Sequence, residues 1–216
     1  MRDKCEIIHQ WFNSLRRFRF PFDQELVSIP KNGIYIIFEK GEKFKGLDRI
    51  VRVGTHTGDN QLRSRLYQHF THENKDRSIF RKNIGRCFLN FENSSYAKIW
   101  ELDLTTKVQR KRNAHLINKT FQNQLEKKIT RYIQDNLSFA FIEVNVKRER
   151  LNLESKIVST ISFCNNCKPS TKWLGSHSPK ERIKESGLWQ VNGLYKEPLS
   201  TGDKKKLEFL VKKQFK

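Results

Sequence analysis

No run of apolar residues approaches the length of a membrane span, so a helical membrane protein is not expected. The chain starts Met-Arg-Asp-Lys-Cys with no apolar core behind it. A secretory leader is therefore not expected either, and the cytoplasm is the expected location. Internal repeats and low-complexity tracts are also missing. Cysteine is scarce, with only Cys5, Cys87, Cys164 and Cys167. Cys164-x-x-Cys167 could form half a zinc site, with His177 downstream, but no second close pair accompanies it. Reduced, unligated thiols are the expectation. Apolar residues make up only 36% of the chain, a shortage offset by sixteen Phe and four Trp. Acids are outnumbered most clearly: 23 Asp and Glu face 43 Lys and Arg, a formal charge of +20 spread along the whole length. An excess of that size points to a polyanionic partner, of which nucleic acid is the commonest. A membrane surface fits less well, because no long basic amphipathic helix dominates.

The 216 residues suffice for one domain with a substantial core. Ile8, Phe12 and Leu15 predict an N-terminal helix, followed by the basic aromatic arm Arg16-Arg17-Phe18-Arg19-Phe20-Pro21-Phe22. That arm suits a nucleic-acid backbone and a packed strap equally. Gly33-Ile34-Tyr35-Ile36-Ile37-Phe38 reads as a strand after the turn Pro30-Lys31-Asn32, and Arg49 to Gly54 as its hairpin partner. Leu62, Leu66 and Phe70 then predict a helix on which Arg65 and His69, four apart, share a face. A short helix from Ser78 is expected to end at Gly85, with Arg77, Arg81, Lys82 and Arg86 as a basic patch. Trp100 to Leu104 could be a strand and Lys107 to Arg112 a charged loop. Leu125, Ile129, Tyr132 and Ile133 mark a helix with Glu126 toward solvent. Ser138 to Val146 alternates as a third strand, and Leu153, Ile157 and Ile161 stripe a following helix that carries Glu154 at its edge. Trp173 and Trp189, flanked by Gly and Ser, suggest folded structure and not a linker. A last helix opens at Asp203.

A strand carrying Gly33-Ile34-Tyr35, a second strand ending in Gly54, an Arg-x-x-x-His helix and a later acidic helix together resemble the GIY-YIG nuclease family. The first tripeptide is intact, whereas the second reads Arg52-Val53-Gly54 in place of Tyr-Ile-Gly or Tyr-Val-Gly. The resemblance implies an α+β fold: a small, mainly antiparallel three-stranded sheet flanked by helices. A catalytic core over 31–165 would carry an N-terminal extension (1–30) and a C-terminal one (166–216). It also implies a metal-dependent DNA endonuclease, by analogy of the restriction-enzyme branch, with a homodimer left open. The competing reading is a catalytically altered module that binds DNA or RNA.

By the same resemblance Glu154 is the ligand of Mg²⁺ or Mn²⁺, with Glu126 as its rival, and Asn165 or Asn166 supplies the family's asparagine. Tyr35 would orient or deprotonate the attacking water, Arg65 clamp the phosphate, and His69 relay a proton or touch phosphate. A free tyrosine has a pKa of about 10, so its role as a base needs a neighbouring cation or a relay. Arg52, in a tyrosine position, could supply that cation or bind phosphate, and the first is favoured because Arg65 already occupies the clamp. His56, Arg63, Arg81, Lys82 and Lys172 are the expected DNA contacts.

Overall fold

The β-branched and aromatic run at Gly33 and the alternating run at Ser138 both form strands, and their side chains enter two separate cores. The computed structural model describes residues 4–215. Its strands are β1 (Phe18–Arg19), β2 (Gly33–Phe44), β3 (Leu47–Gly54) and β4 (Leu137–Glu143). The helices are α1 (Lys4–Ser14), α2 (Leu62–Phe70), α3 (Ile79–Phe91), α4 (Ala97–Trp100), α5 (Lys107–Asn113), α6 (Lys119–Asn136), α7 (Lys147–Ser162), α8 (Glu181–Ser186) and α9 (Thr201–Lys213). The strands form one sheet in the order β1-β4-β2-β3, antiparallel throughout. Three strands were expected. The fourth is the basic aromatic arm, which pairs Phe18 with Phe139 at the edge of β4. There Phe18 and Phe22 are buried and the Arg17 guanidinium lies 3.3 Å from the centre of the Phe38 ring, so these residues of the arm pack as a strap.

Side chains at alternate positions of β2 point to opposite faces. Ile34, Ile36 and Phe38 join α1, α7 and α9 in one core; Tyr35 and Ile37 join α2, α3, α6, Trp173 and Trp189 in the other. Both expected extensions are packed into this body. Residues from Gly187 to Gln190 cover the outer edge of β3. Trp189 N–H donates to Val51 O at 2.7 Å, Val53 N–H donates to Gln190 Oε1 at 3.1 Å, and Arg49 Nη1 donates to Gly187 O at 2.6 Å. An open strand edge is thereby closed. Trp189 and Trp173 both donate indole N–H bonds to Glu39 Oε2, at 2.8 and 3.0 Å, and the Tyr132 hydroxyl donates to its other oxygen. Glu39 is the buried anchor of that strap.

Several expected elements differ. Helix α3 runs through Gly85, because the glycine is a contact point and not a cap: a Cβ there would stand 2.5 Å from the Trp100 ring. The strand expected over Trp100 to Leu104 does not form: Trp100 ends helix α4, buried with its indole N–H on Lys82 O, and 101–104 are irregular. The charged stretch at 107–113 is helix α5, capped by Thr106. Glu126, expected in solvent, is only 3% exposed, because the fully buried Arg81 pairs with it at 2.8 Å and Lys75 N–H donates to it.

Candidate active site

Tyr35 stands in mid-sheet on the α2 side, and its hydroxyl lies 2.7 Å from His69 Nε2. Its register partner on β3 is Gly54, and a Cβ at that position would sit 2.3 Å from the phenolic oxygen. The glycine of the second tripeptide is thus the space that the tyrosine of the first one fills. His69 is fully buried, so it reaches no phosphate; its other nitrogen, Nδ1, lies 2.8 Å from Ser78 Oγ. Ser78 also caps α3, its oxygen accepting the Arg81 N–H at 3.2 Å. The Ser78 hydroxyl can both donate and accept, so with the ring proton on Nε2 His69 donates to Tyr35 and accepts from Ser78, and with it on Nδ1 the two roles reverse. Burial, with help from the Arg65, Arg52 and Arg81 cations, holds the His69 pKa well below the usual imidazole range.

Tyr35 forms part of the wall of a cleft of about 600 Å³ that Arg52, Arg65 and Glu154 also line. Arg52 is fixed in place: its Nη1 donates to Trp189 O at 2.6 Å and its guanidinium lies 5.0 Å from the Phe80 ring centre. Its buried Nε–H has no acceptor. Arg65 uses Nη1 on Gln68 Oε1 and Arg77 O, both at 3.0 Å, which aligns the guanidinium at the cleft mouth. Glu154 comes from the edge of the α7 stripe, as expected, because Leu153 and Ile157 bury the helix beside it. No ion pair or hydrogen bond from the described residues reaches its carboxylate. Burial raises its pKa to about 7, against the pull of Arg52 and Lys196. A half-buried hard-oxygen ligand short of a cation suits Mg²⁺ or Mn²⁺, which can take one carboxylate and keep waters elsewhere. Among the described residues Glu154 is the only acid lining the cleft, beside the cations Arg52, Arg65, Arg86 and Lys180.

A profile of the GIY-YIG domain matches residues 12–214. The chain belongs to the GIY-YIG family. Searches of curated proteins and of solved structures returned no match. The family match supports a phosphodiester-cleaving endonuclease. It spans both extensions, in keeping with their packing into one body. The GIY-YIG asparagine expected at Asn165 or Asn166 is not at the cleft: both are exposed and away from it, while Asn83 and Asn192 line it. Nothing local in the sequence links Asn192 to Glu154, because the strap along β3 is what brings it there.

Among the residues expected on DNA, Arg81 is corrected: it is fully buried, and its guanidinium is used up on Glu126, His69 O and Thr130. Lys82 Nζ is tied to Glu101 O at 2.9 Å. Arg63 Nε donates to Ile29 O at 2.7 Å, holding α2 to the segment before β2. His56 lines the cleft, but Nδ1 bonds Gly58 O and Nε2 accepts the Gly33 N–H, and burial lowers its pKa, so it ties β3 to β2. Lys172 is exposed and lies outside the cleft. Lys180 and Gln190, which sequence reasoning missed, do line it. The only sequence signal for them is their nearness to Trp189. Among the described residues no helix is long and apolar enough to cross a membrane.

Proposed function

We propose that the protein is a DNA endonuclease that depends on Mg²⁺ or Mn²⁺, and that it is of the restriction type. The observation that carries this is the convergence of Tyr35, Arg52, Arg65 and the unpaired Glu154 on one cationic cleft. Hydrolysis of a phosphodiester needs an oriented water, relief of charge growing on the phosphate, and help for the leaving oxygen. A divalent cation held by Glu154 would supply the charge neutralisation and assist the leaving group. Tyr35 faces the water. With His69 Nε2–H donating to the phenolic oxygen, negative charge on that oxygen is stabilised from the protein side. The remaining donors of Arg65 hold the scissile phosphate through a planar fork.

Arg52 takes the phosphate role in this reading. Its anchor on Trp189 O and its unpaired Nε–H favour a positioned donor over the mobile point charge expected from sequence. The restriction-type assignment stands by analogy with that branch of the family.

The test is incubation with plasmid DNA. Linear or nicked product should form with Mg²⁺, stop with EDTA and return on adding Mg²⁺ alone. Tight DNA binding with no cleavage in Mg²⁺ or Mn²⁺ would instead favour the binding-module reading.

A further inference from the structure

On the face of the sheet that carries α1, α7 and α9, the N-terminal helix meets the chain just beyond α7. Sulfur and nitrogen cluster at the meeting point. Cys5 and His9 are four apart on α1 and so share a face. Cys164 and Cys167 follow the end of α7. Cys5, His9 and Cys167 are at most 2% exposed, and Cys164 is 8% exposed. Cys5 Sγ lies 3.6 Å from His9 Nδ1, and Cys167 Sγ lies 3.7 Å from His9 Nε2. The donor atoms of Cys5, His9 and Cys167 all fall within 4.8 Å of one another, and the Cys5 thiol is in hydrogen-bonding contact with both Cys167 and Cys164. We propose that Cys5, His9, Cys164 and Cys167 bind one zinc ion that staples the N-terminal helix to the segment after α7.

The donor set favours zinc. Three thiolates and an imidazole form a soft, four-coordinate shell, unlike the lone carboxylate of Glu154. With Zn–S near 2.3 Å and Zn–N near 2.0 Å, a tetrahedral site separates sulfur from nitrogen by about 3.6 Å. Cys167 Sγ and His9 Nε2 already stand at about that separation, 3.7 Å, with the Cys5 ligand atom inside the same 4.8 Å cluster. The four residues read Cys-x-x-x-His and Cys-x-x-Cys, two close pairs whose partnership is hidden by the chain between them. A disulfide between two of the three thiols would leave the third without a role, and none of the three is in a disulfide.

His9 Nδ1 bonds Cys5 O at 2.9 Å, the outer contact that typically fixes a ligating histidine, so Nε2 is the atom that meets the metal. Ile50 N–H now donates to that nitrogen at 3.1 Å, and binding would exchange this bond for the metal bond. Each thiol gives up its proton on binding.

Zinc is measured in protein purified without chelator from zinc-supplemented medium. About one equivalent per chain is expected, as for a single closed site. Cys5→Ser and Cys167→Ser should fall to near zero. Cys87→Ser should keep its zinc, since Cys87 lies in the other core. Because the serine variants could fail to fold, the wild-type protein is also stripped and titrated with Co²⁺. Thiolate-to-cobalt charge-transfer bands with strong tetrahedral visible bands, erased by Zn²⁺, are expected. Zinc-free wild type without those bands, or a Cys167→Ser variant with full zinc, overturns the proposal. Neither readout involves cleavage, so the result stands apart from the nuclease reading.

Discussion

Glu154 is a carboxyl whose folded pKa, about 7, lies above the value of 4.5 it has when unperturbed. The consequence for stability has a definite sign. At pH 4 both the folded and the unfolded states hold the proton, and the group is neutral for stability. Between these two values the unfolded chain releases the proton while the folded one keeps it, so stability falls as pH rises and stays lowered above pH 7. Glu154→Gln should therefore stabilise the metal-free protein at pH 8, by at most about 3 kcal/mol, and leave it unchanged at pH 4. Thermal denaturation at the two pH values checks this. Mg²⁺ should raise the melting temperature of the wild type at pH 8 but not that of the variant, and the variant should bind DNA without cutting it. A second prediction concerns Arg52. Lysine has no rigid planar fork with which to hold Trp189 O on one arm and fix a second donor toward the phosphate on another, so Arg52→Lys should lose cleavage by about tenfold or more. A Lys variant with near wild-type rate would restore the point-charge role. At this scale Tyr35, Arg65 and Glu154 were legible in the sequence because a motif spaces them. Arg81 was not: its partner Glu126 is 45 residues away, and a buried ion pair leaves no local mark.

Elements with a period were also legible. Hydrophobic stripes announced α2, α6, α7 and α9, a β-branched and aromatic run after a turn announced β2, and alternation announced β4. Short elements without a stripe were missed: the two-residue β1, and α4 and α5, which depend on a single buried tryptophan or a cap. The strap along β3 was missed for another reason. It has no regular structure of its own and is defined by long-range bonds to Val51, Val53 and Glu39. Trp189→Ala would open a cavity behind Arg52 and remove one indole donor from buried Glu39. A loss of about 3–5 kcal/mol is expected, with cleavage falling faster than DNA binding. Chemical denaturation alongside a cleavage assay separates the two effects. Glu126→Gln belongs at this scale as well. It breaks the buried pair that holds α3 to α6 and should cost about 3–5 kcal/mol. It should leave Mg²⁺-dependent stabilisation intact, which a metal ligand would not.

For the molecule as a whole, the formal charge of +20 overstates what is available to a ligand. Arg49 and Arg81 are consumed by buried pairs with Glu42 and Glu126, and Arg86 by Glu101. What remains is uneven: among the described residues the cleft keeps the cations Arg52, Arg65 and Lys180 beside one acid, Glu154, which is the one proposed to take a cation of its own. Binding to DNA should accordingly be steep in salt, because each phosphate neutralised releases counterions. Six to ten contacts would cost about 10³–10⁵ in affinity between about 50 and 200 mM salt. The exposed lysines can be sorted within this total. Lys180 lines the cleft, so Lys180→Ala should lower affinity for all sequences alike and reduce the slope of log K against log salt by about one. Lys172 is exposed outside the cleft, so Lys172→Ala measures how far the phosphate track extends beyond it. Equal loss of slope in both variants would carry the DNA past the Trp173 end of the strap, and loss in Lys180 alone would confine it to the cleft. A flat salt dependence in the wild type would sink the claim that this charge serves nucleic acid, whatever the two variants do.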